Sequence, residues 1–264
     1  MKRSVLAVIF LLVSAPLLAG VSYNFESVTT GGQGGPKMSG TADVEGQNMR
    51  IDVSEGDGVL FQDGTTVVSH DGGATLLLID HKKKTWMELP LEQIFSSLEA
   101  MMKSMGGMVD ISVSNQKTSV DAGGSGGSIE GYATSRYTID TSYDFAIKVM
   151  GMNMNGSVET HSDVWSTDEL ASDYATFVQQ RGFKTGIEGV DQLLQSQLDA
   201  MKGFPLKVVT KSKTTMRGRP QESTTTISVS NIEEHSVPES RFEIPADYSR
   251  TETPVLEIPG MQRR

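Results

Sequence analysis

"GFPLKVVTKSKTTMRGRPQESTTTISVSNIEEHSVPESRFEIPADY", residues 203–248, holds two long alternating runs, Pro205–Arg217 and Ser223–Glu233, joined at "RGRPQE". Thr, Ser and Val at every second position suit a pleated strand, whose side chains point to opposite faces in turn. Pro238 has no N–H to donate, so the preceding strand cannot continue past it as a central ladder member. Phe242 and Ile244 are then expected on one side as the last apolar rung of the sheet. Pro245 ends that rung, and the ring of Tyr248 packs with its hydroxyl in water.

The same period of two runs through the first hundred residues. Val21, Tyr23 and Phe25 alternate with polar neighbours; "GGQGG" at 31–35 is a turn. Met38, Gly40, Ala42 and Val44, a turn at 45–48, then Met49, Ile51 and Val53 make a hairpin. Three short strands follow, separated by Asp63-Gly64 and Asp71-Gly72-Gly73, residue types that tolerate left-handed backbone. The period changes at 91–108, where Leu91, Ile94, Phe95, Leu98, Met101, Met102 and Met105 predict an amphipathic helix over 91–105, stopped by Gly106-Gly107. Strand patterning returns at Ile111 and Val113. "DAGGSGGS", 121–128, reads as a loop, and Asn155-Gly156-Ser157 as a hairpin turn. Tyr132–Ile139, Phe145–Val149 and Val158–Trp165 are expected strands. Ser166 or Thr167 followed by acids opens a helical stretch, and another covers about 190–201. Strands and helices do not alternate regularly, so the order predicts an α+β fold: one large antiparallel sheet with helices packed on one face.

Residues 1–20 carry the marks of a signal peptide: basic Lys2 and Arg3, an apolar run from Val5 to Val13, then Pro16, Ala19 and Gly20. The run is shorter than the roughly 20 residues of a membrane span. The remaining organisation expected is one domain over 21–249 and a tail over 250–264, with no transmembrane segment in the mature chain. There is no cysteine among the 264 residues, which excludes disulfides, thiolate metal sites and a lipid-modified N-terminal cysteine. The 23 basic residues less Lys2 and Arg3 leave 21 against 33 acidic, a formal charge of −12. That disfavours nucleic acid as a partner.

The C-terminal pattern resembles that of the periplasmic lipoprotein-carrier superfamily (LolA/LppX-like), and within it a branch of unknown function. The residues that carry the likeness are Gly203-Phe204-Pro205-Leu206, the alternating strand into Asn231-Ile232-Glu233, and 237–248. "IEGYATSRYTI" (129–139) and "VWSTDEL" (164–170) stand upstream in matching order. The resemblance implies an incomplete, strongly curved antiparallel β-barrel with helices in its concave side. It also implies a cleft for a lipid or lipoprotein acyl chain. The signal-peptide pattern and the lack of cysteine suit the periplasm of a Gram-negative bacterium, with secretion as the alternative.

Fourteen methionines are the unusual compositional signal. Flexible thioethers suit adaptable apolar surfaces, so the candidate ligand-binding residues are Ile94, Leu98, Met101, Met102, Met105, Met150 and Met152. Ordinary core packing is the plainer account, and a thioether Cu(I) site lacks an adjacent His or Cys. Gly123-Gly124-Ser125-Gly126-Gly127 matches G-x-S-x-G without the flanking strand and helix of a nucleophile elbow. The four histidines lack metal spacing and read as surface residues. Lys207, Lys211, Lys213, Arg217 and Arg219 could meet anionic headgroups, or protect a solvent-facing or edge strand. Trp86 and Trp165 are expected in the core. No catalytic set, metal or cofactor is expected. The function expected is a carrier or sensor of an apolar ligand, or alternatively an envelope interaction module with a self-filled core.

Overall fold

The structure is a computed structural model, and it describes residues 20–32, 37–56, 61–93, 96, 109–149, 152–170, 188–200 and 202–251. Its strands are β1 (Gly20–Gly31), β2 (Met38–Glu45), β3 (Asn48–Gly56), β4 (Thr65–Ser69), β5 (Thr75–Asp80), β6 (Thr85–Pro90), β7 (Val109–Ile129), β8 (Tyr132–Val149), β9 (Met152–Thr167), β10 (Phe204–Met216), β11 (Arg219–His235) and β12 (Ser249–Arg250). All twelve form one open sheet in the order β12-β6-β5-β4-β3-β2-β1-β11-β10-β9-β8-β7. Only β12 on β6 is parallel. β1 pairs with β2 on one side and β11 on the other, which joins the two halves into a continuous surface.

The fold is therefore mostly β, and the expected helical layer on the concave face is not supported. Among the described residues the one helix of length is α1 (Glu188–Ala200). The helix expected at 91–105 begins with a helical turn at 91–93, and its remainder falls almost wholly outside the described residues. The helical stretch after Ser166 and Thr167 also lies largely outside them. Glycine misled the sequence reading in two places. The supposed loop 121–128 is part of β7, and Asn155-Gly156-Ser157 sits inside β9. In the first case register shifts at Ala122/Gly124 and Ser125/Gly127 absorb the run as bulges. In the second, the Phe145 ring on the facing strand lies where a Gly156 side chain would be, so the missing side chain is filled from across the ladder.

Register places Val21, Tyr23, Ala42, Val44 and Met49 on one face, in a cluster with Leu170, Phe204, Leu206 and Val229. The same face continues through Val67, Leu78 and Leu89. This inner face is concave. Tyr132 and Ile129, at the β7–β8 hairpin, pack into that cluster, although three strand spacings, roughly 14 Å, separate β8 from β11 along the sheet. The Tyr132 hydroxyl donates to Glu234 Oε1 at 3.1 Å, and Glu130 Oε2 accepts the Asn231 N–H at 2.9 Å. Glu130 and Asn231 both have left-handed backbone, φ 52° and 51°. The hairpin tip thus docks on the β11 bulge and closes one end of the curve.

The outer face of β2–β6 is covered by the C-terminal segment, and here the expected last rung is corrected. Glu239–Phe242 form a 3-10 turn, not a strand. Val237 and Phe242 pack with Val68 and Ile79, and Leu77, Trp86, Ile244 and Tyr248 flank them. Pro238 does end the ladder, but the chain then crosses the face of the sheet before re-entering it as β12. A polar chain underlies this strap. Arg241 Nε donates to Asp43 Oδ2 at 2.7 Å and its Nη2 to Asp52 Oδ2 at 2.8 Å. Arg50 forks onto Asp52 with two contacts of 2.8 Å, and Thr66 Oγ1 donates to the same carboxylate. His81 Nε2 stands 2.8 Å from Thr66 Oγ1 and its Nδ1 2.8 Å from the Tyr248 hydroxyl. Since the Thr66 proton goes to Asp52, His81 donates from Nε2, and its Nδ1 as a neutral imidazole accepts from Tyr248.

Burial works to raise the pKa of Asp52, but the hydrogen bonds of Arg50 and Thr66 and the charges of Arg50 and Arg241 outweigh it, leaving the carboxyl below its ordinary range. A pKa lower in the folded than in the unfolded chain gives stability that is whole above about pH 4 and drains away as pH falls through the folded value. Urea midpoints should therefore fall more steeply in the wild type than in Asp52→Asn as pH drops below about 4. Equal pH slopes would remove Asp52 from the account.

Candidate functional site

The strands β8 to β11 carry the inner face away from the docked hairpin. Alternation puts Tyr137, Ile139, Tyr143, Phe145 and Ile147 of β8 on this side, facing Val164, Ser162, Val158, Gly156 and Met154 of β9. Tyr137, Ile139 and Val164 pack with Ala200 of α1, and the Tyr137 hydroxyl accepts from Lys202 N at 2.9 Å. The α1 N-terminus rests on β7, where Gln116 donates to the Gly189 carbonyl and Thr118 Oγ1 lies 3.1 Å from Ser196 Oγ.

Beyond α1 the character changes. Tyr143, Phe145, Ile147, Met154 and Val158 are each only half-buried, and Met216 is 39% exposed; level with α1, half-buried Val208 packs on the Tyr137 cluster and its cross-strand partner Ile227 is 42% exposed. Burial nevertheless raises the pKa of Tyr143, so its hydroxyl stays neutral. Between these apolar groups lie hydroxyls that satisfy one another. Ser162 Oγ and Thr210 Oγ1 are 2.9 Å apart, as are Thr29 Oγ1 and Thr225 Oγ1. Hydroxyls already paired across strands do not demand partners from a guest. The surface is thus apolar in its side chains and quiet in its hydrogen bonding.

Of the residues proposed from sequence, Ile94, Leu98, Met101, Met102, Met105 and Met150 lie outside the described residues. Met152, at the first position of β9, is 65% exposed at the end remote from the hairpin dock. The sequence reading passed over Tyr143, Phe145, Ile147, Val158 and Ile227. The signal of Tyr143, Phe145 and Ile147 was present as plain alternation in "SYDFAIKV" (142–149), overlooked in favour of methionine clustering.

Elsewhere the polar constellations are structural. Ser22 Oγ donates to Asp43 Oδ1 at 2.6 Å and lies 2.9 Å from His235 Nε2. His235 Nδ1 meets the Ser236 carbonyl at 3.0 Å. The carboxylate therefore engages the serine and Arg241, and does not orient the imidazole as a relay base would require. The indoles, expected in the core, are half-buried on the outer face. Arg136 and Lys207 each stand 5.3 Å from the Trp165 ring centre, and Arg250 stands 5.3 Å from that of Trp86. Lys207, Lys211 and Lys213 are solvent-facing, but β10 is an interior strand of the sheet, so they protect no edge. No group of acids and histidines among the described residues is arranged to hold a metal ion. Among them, no helix is long and apolar enough to cross a membrane.

Fold and site together define an open, curved single-sheet β protein with a part-exposed apolar inner face. The chain belongs to the DUF4412 family, a domain of unknown function, whose model matches residues 33–248. A comparison with curated proteins found no match. Among solved structures the chain is similar to PNGF-II, with 10% identity and a TM-score of 0.33 over 88% of this chain, which spans only 31% of that one. It is also similar to a Vibrio parahaemolyticus domain described as an outer membrane lipoprotein-sorting protein, with 10% identity and a TM-score of 0.28 over 85% of this chain and 89% of that one. Likenesses of this size carry no argument about function.

Proposed function

We propose that the chain is an exported envelope protein that holds a lipid acyl chain or similar apolar ligand against the inner face of β8–β11, as a carrier or sensor and not an enzyme. The observation that supports this reading is the part-exposed apolar inner face: Tyr143, Phe145, Ile147, Met154 and Val158 at the end away from the hairpin dock, and Val208 and Ile227 level with Val164. Large apolar groups left part-exposed side by side usually mark a surface with an occupant. The signal-like residues 1–20 and the sequence resemblance to lipoprotein carriers favour the periplasm as the place of action.

The test is titration with a fluorescent fatty acid, with native mass spectrometry of lipid retained by protein purified from its own envelope. Ile227→Asp places a charge on this face at a position already 42% exposed. It should weaken probe binding at least tenfold, since a buried charge against an acyl chain is strongly unfavourable, while thermal stability stays close to wild type. Absence of both retained lipid and probe binding would overturn the carrier reading and leave an interaction module with a self-filled core.

A further inference from the structure

We infer that β7 is the seam of a homodimer, in which two copies pair antiparallel across a two-fold axis at Ser119 and extend one sheet through both. β7 is the terminal strand of the sheet and pairs only with β8 among the described residues. At 21 residues it is the longest strand, so it offers a long unpaired edge. Its register is broken between Ser114 and Lys117 and again between Ala122 and Gly124. This leaves two longer unbroken runs, Val109–Ser114 and Lys117–Ala122, and α1 lies against the first, where Gly189 approaches the Val113 carbonyl. α1 touches β7 at Gln116 and Thr118 and then turns inward to Tyr137 and Val164. Lys117, Ser119, Asp121 and Ala122 are left exposed, with Val120 39% exposed.

The occupant is indicated by charge. Lys117 and Asp121 share one face of the strand, and neither meets an opposite charge among the described residues. With Ser119 opposite Ser119, Lys117 of each copy faces Asp121 of the other, while Thr118 faces Val120 on the opposite side. Both ion pairs are cross-strand neighbours of the favourable kind. A slip of register by one residue would put side chains on the wrong faces, and the flanking bulges prevent the pairing from propagating. The contact is isologous and closes at two copies.

Sedimentation equilibrium of the purified protein at tens of micromolar should show a species of twice the mass of the chain as purified. Lys117→Asp and Asp121→Lys should each weaken that association at least tenfold, because each sets like charges face to face. An equimolar mixture of the two variants should restore it as a heterodimer, since every cross-strand pair is then opposite in sign. The chain has no cysteine, so Ser119→Cys should form a single disulfide-linked dimer on mild oxidation. A wild type that remains monomeric, a dimer indifferent to both charge changes, or a Ser119→Cys dimer that fails to cross-link would each overturn this assignment. None of these readouts involves a ligand, so the result stands apart from the carrier reading.

Discussion

Phe242→Ala should cost about 3–5 kcal/mol of folding stability, the range for emptying a fully buried aromatic site. Phe242 is 1% exposed, and beneath it Val68 and Ile79 are both 0% exposed. The outer face of β4 and β5 has no other apolar cover from the strap at that point than Val237, Ile244 and Tyr248. Removing the ring leaves either a cavity or a detached strap. Urea denaturation separates the two. A cavity lowers the midpoint with the slope unchanged, whereas detachment lowers the slope as well, because the native state then buries less surface. Phe242→Leu should cost clearly less than the alanine. A loss below about 1 kcal/mol for Phe242→Ala would show that the strap contributes little to the fold.

Gly40→Val should cost about 3 kcal/mol or more, at the upper end of overpacking penalties. A Cβ on Gly40 would fall within contact distance of the Asp52 carbonyl oxygen and 3.1 Å from Phe25 Cζ. The first obstacle is backbone and cannot swing away. The strand already shifts register between Ser39 and Gly40 to let β2 and β3 approach here. Relief therefore requires β3 to move, and β3 carries Arg50 and Asp52, which hold Arg241 of the strap. Thermal melts should show the loss, and Gly40→Ala should show a smaller loss in the same direction. If Gly40→Val melts like the wild type, the close approach of β2 to β3 is absent in solution.

The long hairpin β10–β11 was legible because its Thr, Ser and Val alternate without interruption, and period two has no rival reading over such a span. The early hairpins were legible because their Asp-Gly turns coincide with breaks in alternation. Residues 121–128 and 155–157 were misread because glycine signals a turn only when nothing else supplies the missing side chain. Gly126 lies under Thr134 and Trp165, and Gly156 under Phe145. The strap was half legible. Pro238 announced the end of the ladder, but Phe242 and Ile244 at alternate positions look alike in a strand rung and in a 3-10 turn leading to an extended segment. At the candidate site, composition drew the reading to methionines, whereas the half-exposed inner face is built from the even alternation of β8 and from Ile227, a residue whose exposure depends on curvature that no local pattern encodes.

The strap and the β1–β11 pairing also dictate an order of events. Val68 and Ile79 are in the first third of the chain, yet their cover arrives with residues 237–248, and Gly20–Gly31 waits for 223–235 to become an interior strand. Contacts of such sequence separation form late, because loop closure must precede any gain from them. During synthesis or threading from the N-terminus, the leading half of the sheet therefore keeps a bare apolar flank and an unpaired edge until almost the whole chain has emerged. The last segment of the chain is thus also what removes the surface most open to mispairing.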